Sequence, residues 1–499
     1  MSSIAREASR SFEARAAIPA RRSGNVAADL LPGSRRGPFH IPCVLRSSSM
    51  ANLKQEAAAG DLDLSIAAIP EQARMPAFSL TMAWWAVCSA VFYIVVGATL
   101  ALGYGARNAL IGMALSVVAY GLVNSVISRY AVRTGLSVAL FSRVLFGSSG
   151  AALATLIFFA TAIYYAVFEG SVIAVAAHTL FPVLDYRWAA LIVVAYSVPL
   201  VFGSVQHWLD KFNGVLLPFY LFGLLAAVVL TTHEYGYNAA WLDFGPKGAV
   251  PANGWWNCFV YYMGVWVLMM FTFDYARFGR RKDAVYHGRF NFGMPFYLVT
   301  FLLNGAVGIY LVSTTPGLGT LSEVSVVLAL LKLMGIWGLL FVWVTQSRIN
   351  TANYYLAAIN MQAFFGKLAG LRAPKFAWAL VVGAVVYALM MADVFSKILQ
   401  ALAYQGIFVV AWVGVALAHI LSTRYDELVG ETIEYRDSHV PAFNPGGLSA
   451  WFAGAFAGLV LMNMTGTAQS LSAPASFAVS WIVYRGMLGS AKRTWFVRG

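Results

Sequence analysis

The chain has 499 residues, of which 60% are hydrophobic and only 11% are charged, and its mean hydropathy is +0.69. This composition excludes a water-soluble protein, which would lack the polar residues to cover its surface, and it predicts a polytopic membrane protein. The apolar runs are about 20 residues long, as in membrane helices, and do not alternate as barrel strands do. Residues 1–49 supply +5 of the net charge of +13, and the remaining +8 lies mostly in loops, which is typical of membrane orientation and not of nucleic-acid binding.

The N-terminal segment, residues 1–74, is rich in Ala, Ser and Arg and has no sustained apolar period. This pattern predicts a disordered cytoplasmic segment before a membrane domain at 75–499. Residues 1–49 contain eight arginines and three acidic residues, which superficially resembles an organelle transit peptide. We favour the simpler interpretation that Met50 starts the protein and that residues 1–49 are not translated.

Twelve apolar spans follow, and each is predicted to be a transmembrane helix. The predicted bounds are 80–103, 108–128, 150–179, 187–204, 213–231, 254–273, 292–313, 332–361, 376–392, 396–421, 447–466 and 472–490. The eighth span is long enough to tilt strongly or to project beyond the membrane.

The orientation of the spans is predicted from the Lys and Arg residues of the loops, which accumulate on the cytoplasmic side. The basic residues of one set of alternate loops and of the C-terminal tail are Arg129, Arg133, Arg143, Lys211, Arg277, Arg280, Arg281, Lys282, Arg289, Lys367, Arg372, Lys375, Arg424, Arg436, Lys492, Arg493 and Arg498. The opposite set holds little beyond Arg107, Arg187 and Lys247. Both termini are therefore predicted to be cytoplasmic, and we expect the plasma (inner) membrane as the location.

Motifs of energy-coupling and catalytic sites are absent from the sequence. The sequence has no GxxxxGK[ST] loop, which argues against an ATP-driven pump, and no HExxH or CxxC metal spacing. It shows no Ser/His/Asp set on a recognisable catalytic turn, so we do not expect an enzyme. An even number of spans interrupted by Gly and aromatic residues favours a secondary transporter. No resident cofactor is expected, and coupling to sodium or protons stays open.

The sixth span, within Trp255–Arg281, is aromatic-rich and ends abruptly in the basic sequence DYARFGRR. Such an ending is typical of a membrane helix at its cytoplasmic exit. Gly264 and Trp266 are interpreted as a break near the bilayer midplane where a flat aromatic ligand stacks, because discontinuous helices are where transporters bind substrate. The alternative is an uninterrupted helix, since Gly is common in membrane helices.

Three segments resemble the nucleobase–cation symporter-1 family, and most closely its purine–cytosine permease branch. The first, RTGLSVALFSRVLFGSSGA at Arg133–Ala151, is similar to the family's loop between spans 2 and 3. The second, FDYARFGRR at Phe273–Arg281, is similar to the family's exit from span 6. The third, TQSRINTANYYLAAIN at Thr345–Asn360, lies where the family has its polar span 8.

The resemblance implies an all-α fold of two inverted five-helix repeats, with spans 1 and 6 broken, followed by two extra helices. It implies a monomer that imports a nucleobase or related planar heterocycle, such as cytosine, a purine, allantoin or a hydantoin, by alternating access. Substrate would lie among spans 1, 3, 6 and 8, where broken helices expose backbone groups and partial charges. A planar base can be held between aromatic rings and recognised by side-chain amides.

The resemblance also predicts the substrate contacts. Tyr165 falls at the family's stacking position in span 3, with Tyr164 beside it, whereas Ala162 replaces the family's amide. In span 6, Trp266 is the best stacking candidate, although the family's aromatic position is occupied here by Val265. The alternative for each aromatic residue is core packing.

A sodium site in this family uses backbone oxygens of span 1 and hydroxyls of span 8. The matching positions are Ala86 and Ser89 in span 1 and Thr345 and Gln346 in span 8. Ser89 and Thr345 could supply oxygen ligands to a hard cation. Gln346 stands in place of a second hydroxyl, and Val342 stands in place of an upstream Asn, so the sodium site is weakened.

Two charged residues stand within the predicted spans. Arg348 follows Thr345 by three residues and lies on nearly the same helical face, so it either replaces the cation or extends toward the cytoplasm. Glu169 lies one helical turn beyond Tyr165 and is a candidate for binding a ring N–H or carrying a proton; the alternative is a structural carboxyl paired with a neighbouring helix. Lesser polar candidates are Asn304, Asn350, Asn353, Asn360 and Asp393.

Alternative functions remain at this point. The chain could be an amino acid or other small-metabolite carrier on the same fold, or a non-transporting membrane sensor. A channel would be expected to show a ring of like residues, and the sequence has none that we identify. Apart from the lipid bilayer and a small substrate, no partner is predicted.

Overall fold

The computed structural model describes residues 68–201, 204–371, 373–430, 435 and 438–498, and only the backbone of residues 204–215. The predictions for residues 1–67 lie outside the described part. Within it, all of the long elements are helices. The helices that correspond to predicted spans 1–6 are Ala77–Trp85 with Val91–Tyr104, Ala106–Thr134, Ala152–Leu180, Tyr186–Leu200, Ser204–Tyr235, and Gly254–Met263 with Val267–Ala276.

The second half of the chain continues in the same way. Span 7 runs over Arg281–Thr314 and contains π-helical turns at His287–Asn291 and Leu298–Leu303. The helices of spans 8–12 are Ile336–Ala369, Lys375–Met391, Ile398–Ile420, Pro445–Met462 and Ser472–Gly489. Shorter helices lie between the spans at Val138–Phe146, Ser325–Met334 and Arg424–Val429.

Each predicted span therefore coincides with a helix. Among the described residues, seven helices are long and apolar enough to cross a membrane, and the bent pair of span 1 makes an eighth if it is one span. Tyr186–Leu200 and Lys375–Met391 are apolar but shorter. The number of twelve membrane crossings stays a prediction. The predicted start of span 8 at residue 332 is wrong, because Gly335 adopts a positive φ of 53° and separates Ser325–Met334 from the long helix.

Span 1 is broken, as predicted. The helix Ala77–Trp85 passes into a 3-10 turn at Ala86–Ser89, and the two halves of the span are bent by 43°. Ala90 is extended, with φ −71° and ψ 126°, and so interrupts the helical hydrogen bonds between the halves. Backbone groups freed inside a membrane must find partners within the protein. These partners form the centre of the candidate site.

Span 6 is interrupted more mildly than predicted. Gly264–Trp266 forms a 3-10 turn, but the flanking helices continue as one segment of 23 residues. Span 10 approaches span 6 so closely at Gly264 that no larger residue fits, since a Cβ there would lie 2.2 Å from the carbonyl oxygen of Leu402. The glycine therefore lets spans 6 and 10 touch backbone to backbone.

The residues just before span 1 are ordered, so the predicted disorder of residues 68–74 is wrong. Arg74 is buried, and its Nη1 donates to the carbonyl oxygens of Val132 and of Gly279, the latter at 2.9 Å. The amide of Ile69 donates to the carbonyl oxygen of Gly135 at 3.0 Å. One guanidinium thus satisfies a carbonyl group in the last turn of span 2 and one just after the end of span 6, which explains why this stretch folds with the membrane domain.

Removing residues 1–49, so that translation starts at Met50, should leave membrane insertion and uptake unchanged, because the variant keeps the described contacts of Ile69 and Arg74 with the membrane domain. By contrast, Arg74→Ala should lower the free energy of unfolding by about 1.5–3 kcal/mol, the range for hydrogen bonds to a charged group. Both variants can be compared by membrane yield and by thermal denaturation in detergent. A truncated protein that no longer inserts would contradict the interpretation of Met50 as the start.

Candidate functional site

A cavity of about 210 Å³ lies among spans 1, 3, 6 and 8, the four spans predicted to hold substrate. Its aromatic lining residues are Trp84, Phe92, Tyr93, Tyr165, Phe271 and Tyr275. Its polar lining side chains include Glu169, Arg348, Thr351 and Asn353. The volume is below the common range of about 300–1,000 Å³ for ligand pockets, so it fits one small ring system.

The cavity begins beside the break in span 1 and extends toward one end of the helix bundle. At that end spans 2, 6 and 8 finish with Arg133, Arg277 and Lys367, and we call it the basic end. Phe92 and Tyr165 mark the upper part of the cavity, where their rings meet edge to face with centroids 5.1 Å apart. The cavity is therefore lined by aromatic rings beside the break in span 1 and by residues of spans 6 and 8 toward the basic end.

The carbonyl groups freed by the break in span 1 are already bonded to side chains. The oxygen of Ala86 accepts hydrogen bonds from Ser89 Oγ at 2.7 Å and from Arg348 Nη1 at 3.1 Å. The oxygen of Cys88 accepts from Asn304 Nδ2 of span 7 at 2.9 Å. Two donors use both lone pairs of the Ala86 oxygen. This carbonyl therefore offers little to a metal cation while Arg348 is in place.

The backbone N–H group of Val91, just after the break in span 1, is hydrogen-bonded by the side chain of Gln346. In the amide orientation that satisfies both ends of its side chain, Gln346 accepts a hydrogen bond from Val91 N at 3.2 Å and donates to Glu169 Oε2. Gln346 is fully buried and Glu169 is 2% exposed. Span 3 is thus connected through span 8 to the start of the second half of span 1. A change at the Glu169 carboxyl would therefore act on the broken segment through Gln346.

The residues predicted to hold a cation lie together, but their polar atoms have other partners. Ala86, Ser89 and Gln346 make the bonds just described, and Thr345 Oγ1 donates to the Phe341 carbonyl oxygen of its own helix at 2.7 Å. The Arg348 guanidinium reaches the Ala86 oxygen, which is the contact expected if the guanidinium replaces the cation. Thr345 and Arg348 lie on the same side of span 8, as their spacing in the sequence predicts, since residues three apart share a helical face.

The predicted substrate residues divide into two groups. Tyr165 and Glu169 both line the cavity, as expected for side chains one helical turn apart on span 3. Tyr164, Gly264 and Trp266 are not among the lining residues. The hydroxyl of Tyr164 donates instead to the carbonyl oxygen of Ile398 at 3.2 Å.

Trp266 packs away from the cavity. Its ring meets Tyr120 of span 2 and Phe477 of span 12 edge to face, with centroid distances of 5.8 Å and 5.6 Å. The side chain is 4% exposed. One residue along a helix turns the side-chain direction by about 100°, so a match offset by a single position points elsewhere. Trp266 is therefore part of the packing that surrounds the turn in span 6.

Gln405 of span 10 was missed by the sequence analysis. Its Nε2 donates to the carbonyl oxygen of Gly264 at 2.9 Å and lies 3.5 Å from the hydroxyl of Tyr165. Gln405 thereby hydrogen-bonds a backbone group of the turn in span 6, just as Asn304 and Gln346 hydrogen-bond backbone groups at the break in span 1. The sequence did offer one indication of Gln405, because a side-chain amide within an apolar span has a high free energy in a membrane unless it has a hydrogen-bond partner.

Comparisons with known proteins identify the family and the fold of this chain. A family model described as "Permease for cytosine/purines, uracil, thiamine, allantoin" matches residues 68–484. No curated protein sequence matches the chain.

Among solved structures, the inward-facing conformation of Mhp1 is similar with a TM-score of 0.67 and 12% identity over 85% of this chain and 93% of that chain. Mhp1 in a closed conformation, described as a nucleobase-cation-symport-1 family transporter with bromovinylhydantoin bound, gives a TM-score of 0.64 and 14% identity, covering 85% and 95%. A Na⁺-coupled sialic acid symporter gives 0.55 and 11% identity, covering 86% and 92%. These similarities confirm the predicted all-α transporter fold.

Proposed function

Because the chain belongs to the family of permeases for cytosine/purines, uracil, thiamine and allantoin, we propose that it imports one planar heterocycle of this kind by alternating access. The family confirms the predicted class, an integral membrane transporter and not an enzyme. Cytosine, a purine, allantoin and a hydantoin are the substrates to test.

The observation that carries the proposal is the cavity itself. Aromatic rings from spans 1, 3 and 6 line a space of about 210 Å³, and a few polar side chains converge on it. A flat ring buries its faces against such walls, while its edges reach polar groups that fix its orientation. Tyr165 is the stacking residue proposed for span 3. Trp266 is not proposed as a stacking residue, since its ring packs against spans 2 and 12.

The membrane arrangement is part of the proposal. Spans 2, 6 and 8 end with Arg133, Arg277 and Lys367 at the same end of the bundle, and basic residues concentrate on the cytoplasmic side. We place both termini in the cytoplasm and the protein in the plasma (inner) membrane. The cavity lies within a single chain, which is consistent with a monomer as the functional unit.

The coupling mechanism proposed here is independent of sodium. Arg348 donates to the span 1 carbonyl that would otherwise ligate the ion, and its guanidinium keeps its charge at all relevant pH values. Protons are the proposed coupling ion, with Glu169 as their carrier, because it is the carboxyl that lines the cavity and is bonded through Gln346 to the break.

Uptake of a radiolabelled panel into cells that lack their own nucleobase permeases tests the function. The panel should contain cytosine, uracil, adenine, hypoxanthine, allantoin and a hydantoin, together with several amino acids. Uptake of at least one heterocycle above the empty-vector control is expected. Uptake of an amino acid alone would instead support the metabolite-carrier alternative.

Tyr165→Ala should weaken substrate binding by about 1–3 kcal/mol, the range for losing one base-stacking ring. Tyr165→Phe should retain most of the affinity, because the ring face is kept and only the weak 3.5 Å contact with Gln405 is lost. Trp266→Phe is the matched aromatic control, since Trp266 does not line the cavity. Binding of radioligand to purified protein gives the affinities. Equal affinity in Tyr165→Ala and the native chain would assign Tyr165 to packing.

A further inference from the structure

We infer, on the basis of the proposed function, that the substrate is a heterocycle with two ring carbonyl groups, which accept hydrogen bonds from Trp84 of span 1 and Asn353 of span 8. Both side chains line the cavity, and each carries a buried nitrogen donor without an acceptor among the described residues. Buried polar groups are paired in the great majority of proteins, so an unpaired donor in a cavity wall indicates a ligand atom that completes it.

Asn353 differs in this respect from the other asparagines of span 8. Its Nδ2 has no acceptor among the described residues, although the side chain is only 7% exposed. By contrast, Asn350 Nδ2 donates to Ser197 Oγ at 3.4 Å, and Asn360 Nδ2 donates to the Leu356 carbonyl oxygen at 2.8 Å. The terminal torsion of an asparagine is soft, so the amide can turn its N–H groups toward a bound ring. Asn353 is therefore the asparagine of this span that can serve a ligand.

Trp84 is held in place by neighbouring aromatic rings. Its ring is fully buried and packs against Phe292, Phe296 and Tyr275, with centroid distances of 4.8 Å, 5.0 Å and 5.3 Å. The indole N–H can only donate, and that of Trp84 has no acceptor within the described part of the chain. Three other indoles share this lack of an acceptor but do not line the cavity: Trp85, Trp266 and Trp378. Among these four, Trp84 is thus the one whose N–H a bound ring can meet.

Other polar side chains of the cavity wall have partners of their own. Glu169 Oε2 accepts from Gln346, and the hydroxyl of Thr351 donates to the Ser347 carbonyl oxygen at 2.8 Å. Neither group pairs with the two unpaired donors. The ligand must therefore supply two acceptors, one for the donor of span 1 and one for the donor of span 8.

A ring carbonyl is the acceptor that fits such donors. Its oxygen projects from the edge of the ring and has two lone pairs near the ring plane. An exocyclic amino group in the same place would set a donor against a donor and leave both without a partner, which costs free energy. One carbonyl for each donor gives a heterocycle with two ring carbonyls.

Three matched pairs of compounds represent the presence and absence of the second carbonyl. They are uracil and cytosine, xanthine and hypoxanthine, and hydantoin and 2-imidazolidinone. The first member of each pair has two ring carbonyls and the second has one. A mildly acidic buffer keeps all of these compounds neutral, so the comparison reports hydrogen bonding and not charge.

The first test is equilibrium binding of the three pairs to the purified full-length protein. In each pair that binds, the compound with two carbonyls should bind about fivefold or more tightly, the effect of one hydrogen bond. A pair in which the compound with one carbonyl binds as tightly as its partner overturns the inference and leaves the proposed function in place.

The second test assigns each carbonyl to its donor. In the compound that binds most tightly, each carbonyl oxygen is replaced in turn by sulfur, a weaker acceptor of similar shape. Each replacement should weaken binding to the native chain about threefold or more. In Asn353→Ala one of the two replacements should no longer matter, and in Trp84→Phe the other should no longer matter, because the donor is gone. A purely structural role would weaken binding of all analogues equally.

Controls for both variants come from residues outside the cavity wall. Trp85→Phe removes an unpaired indole N–H whose ring stacks on Phe290 at 5.3 Å, and it should leave both sulfur effects in place. Asn360→Ala should do the same, since the Asn360 amide donates within its own helix. Melting temperatures show whether each variant is folded.

The outcomes separate this inference from the function on which it rests. Sulfur effects that persist unchanged in either folded variant overturn the inference alone, because uptake of a heterocycle does not depend on which donors recognise it. If one variant does not fold, the other variant and the three pairs still decide. Failure of all six compounds to bind, together with no uptake of any heterocycle in cells, overturns both the inference and the proposed function.

Discussion

Arg348→Ala should lower the initial rate of substrate uptake by at least about tenfold, since a hydrogen bond from a charged group contributes about 1.5–3 kcal/mol. The guanidinium donates to the Ala86 carbonyl at 3.1 Å and so joins span 8 to the break in span 1. Without it, the Ala86 oxygen keeps only Ser89 as a donor. The two spans would lose the contact proposed to close the gap between them. Initial rates in proteoliposomes, normalised to inserted protein, measure the effect.

Two variants make the Arg348 result specific. Arg348→Lys keeps the charge but loses the planar fork, so it should recover only part of the rate. Arg187→Ala removes an exposed arginine outside the cavity and should have no effect. Native rates in Arg348→Ala would mean that the guanidinium is dispensable and that its contact with Ala86 is incidental.

Glu169→Gln should abolish accumulation driven by a pH gradient while leaving substrate exchange across the membrane within about twofold of the native rate. A gradient of one pH unit corresponds to about 1.4 kcal/mol, which supports up to about tenfold accumulation when one proton moves with each substrate. The amide in the variant can still accept from Gln346, so the link to Val91 is kept, but it can no longer carry a proton. The two assays therefore separate coupling from binding.

An exposed carboxyl provides the control for Glu169. Glu427 lies on the short helix Arg424–Val429, away from the cavity, and Glu427→Gln should accumulate substrate normally. Gradient-driven accumulation that persists in Glu169→Gln would exclude this carboxyl as the proton carrier. Loss of exchange together with accumulation would instead assign Glu169 to substrate binding.

The positions of the membrane helices could be predicted from the sequence because apolar length and loop charge are local properties. The pairing of Tyr165 with Glu169 on one wall also follows from helical spacing alone. The break in span 1 was expected only from the family resemblance, since Ala86–Ala90 contains neither Gly nor Pro. Its cause is tertiary: side chains of spans 7 and 8 satisfy the backbone groups that the break exposes.

Other features of the site depend on contacts between distant parts of the chain. The side-chain direction of Trp266 depends on the 3-10 turn at Gly264–Trp266, and a shift of one residue moved it from the expected site into the packing. Gln405 contacts Gly264 across 141 positions, so no local pattern reveals it. For Arg348, the sequence left two orientations open, and the contact with Ala86 supports the one that replaces a cation.

The proposal that Arg348 stands in place of a coupling cation is tested most directly by uptake in proteoliposomes with sodium replaced by choline. The pH is held constant and the membrane potential is set to zero. A sodium ion about 5 Å from the guanidinium would be repelled by about 3 kcal/mol at an effective dielectric constant near 20. We therefore expect the same initial rate with either cation. A strong sodium requirement that Arg348→Ala leaves unaltered would show instead that Ser89 and Thr345 still hold the ion.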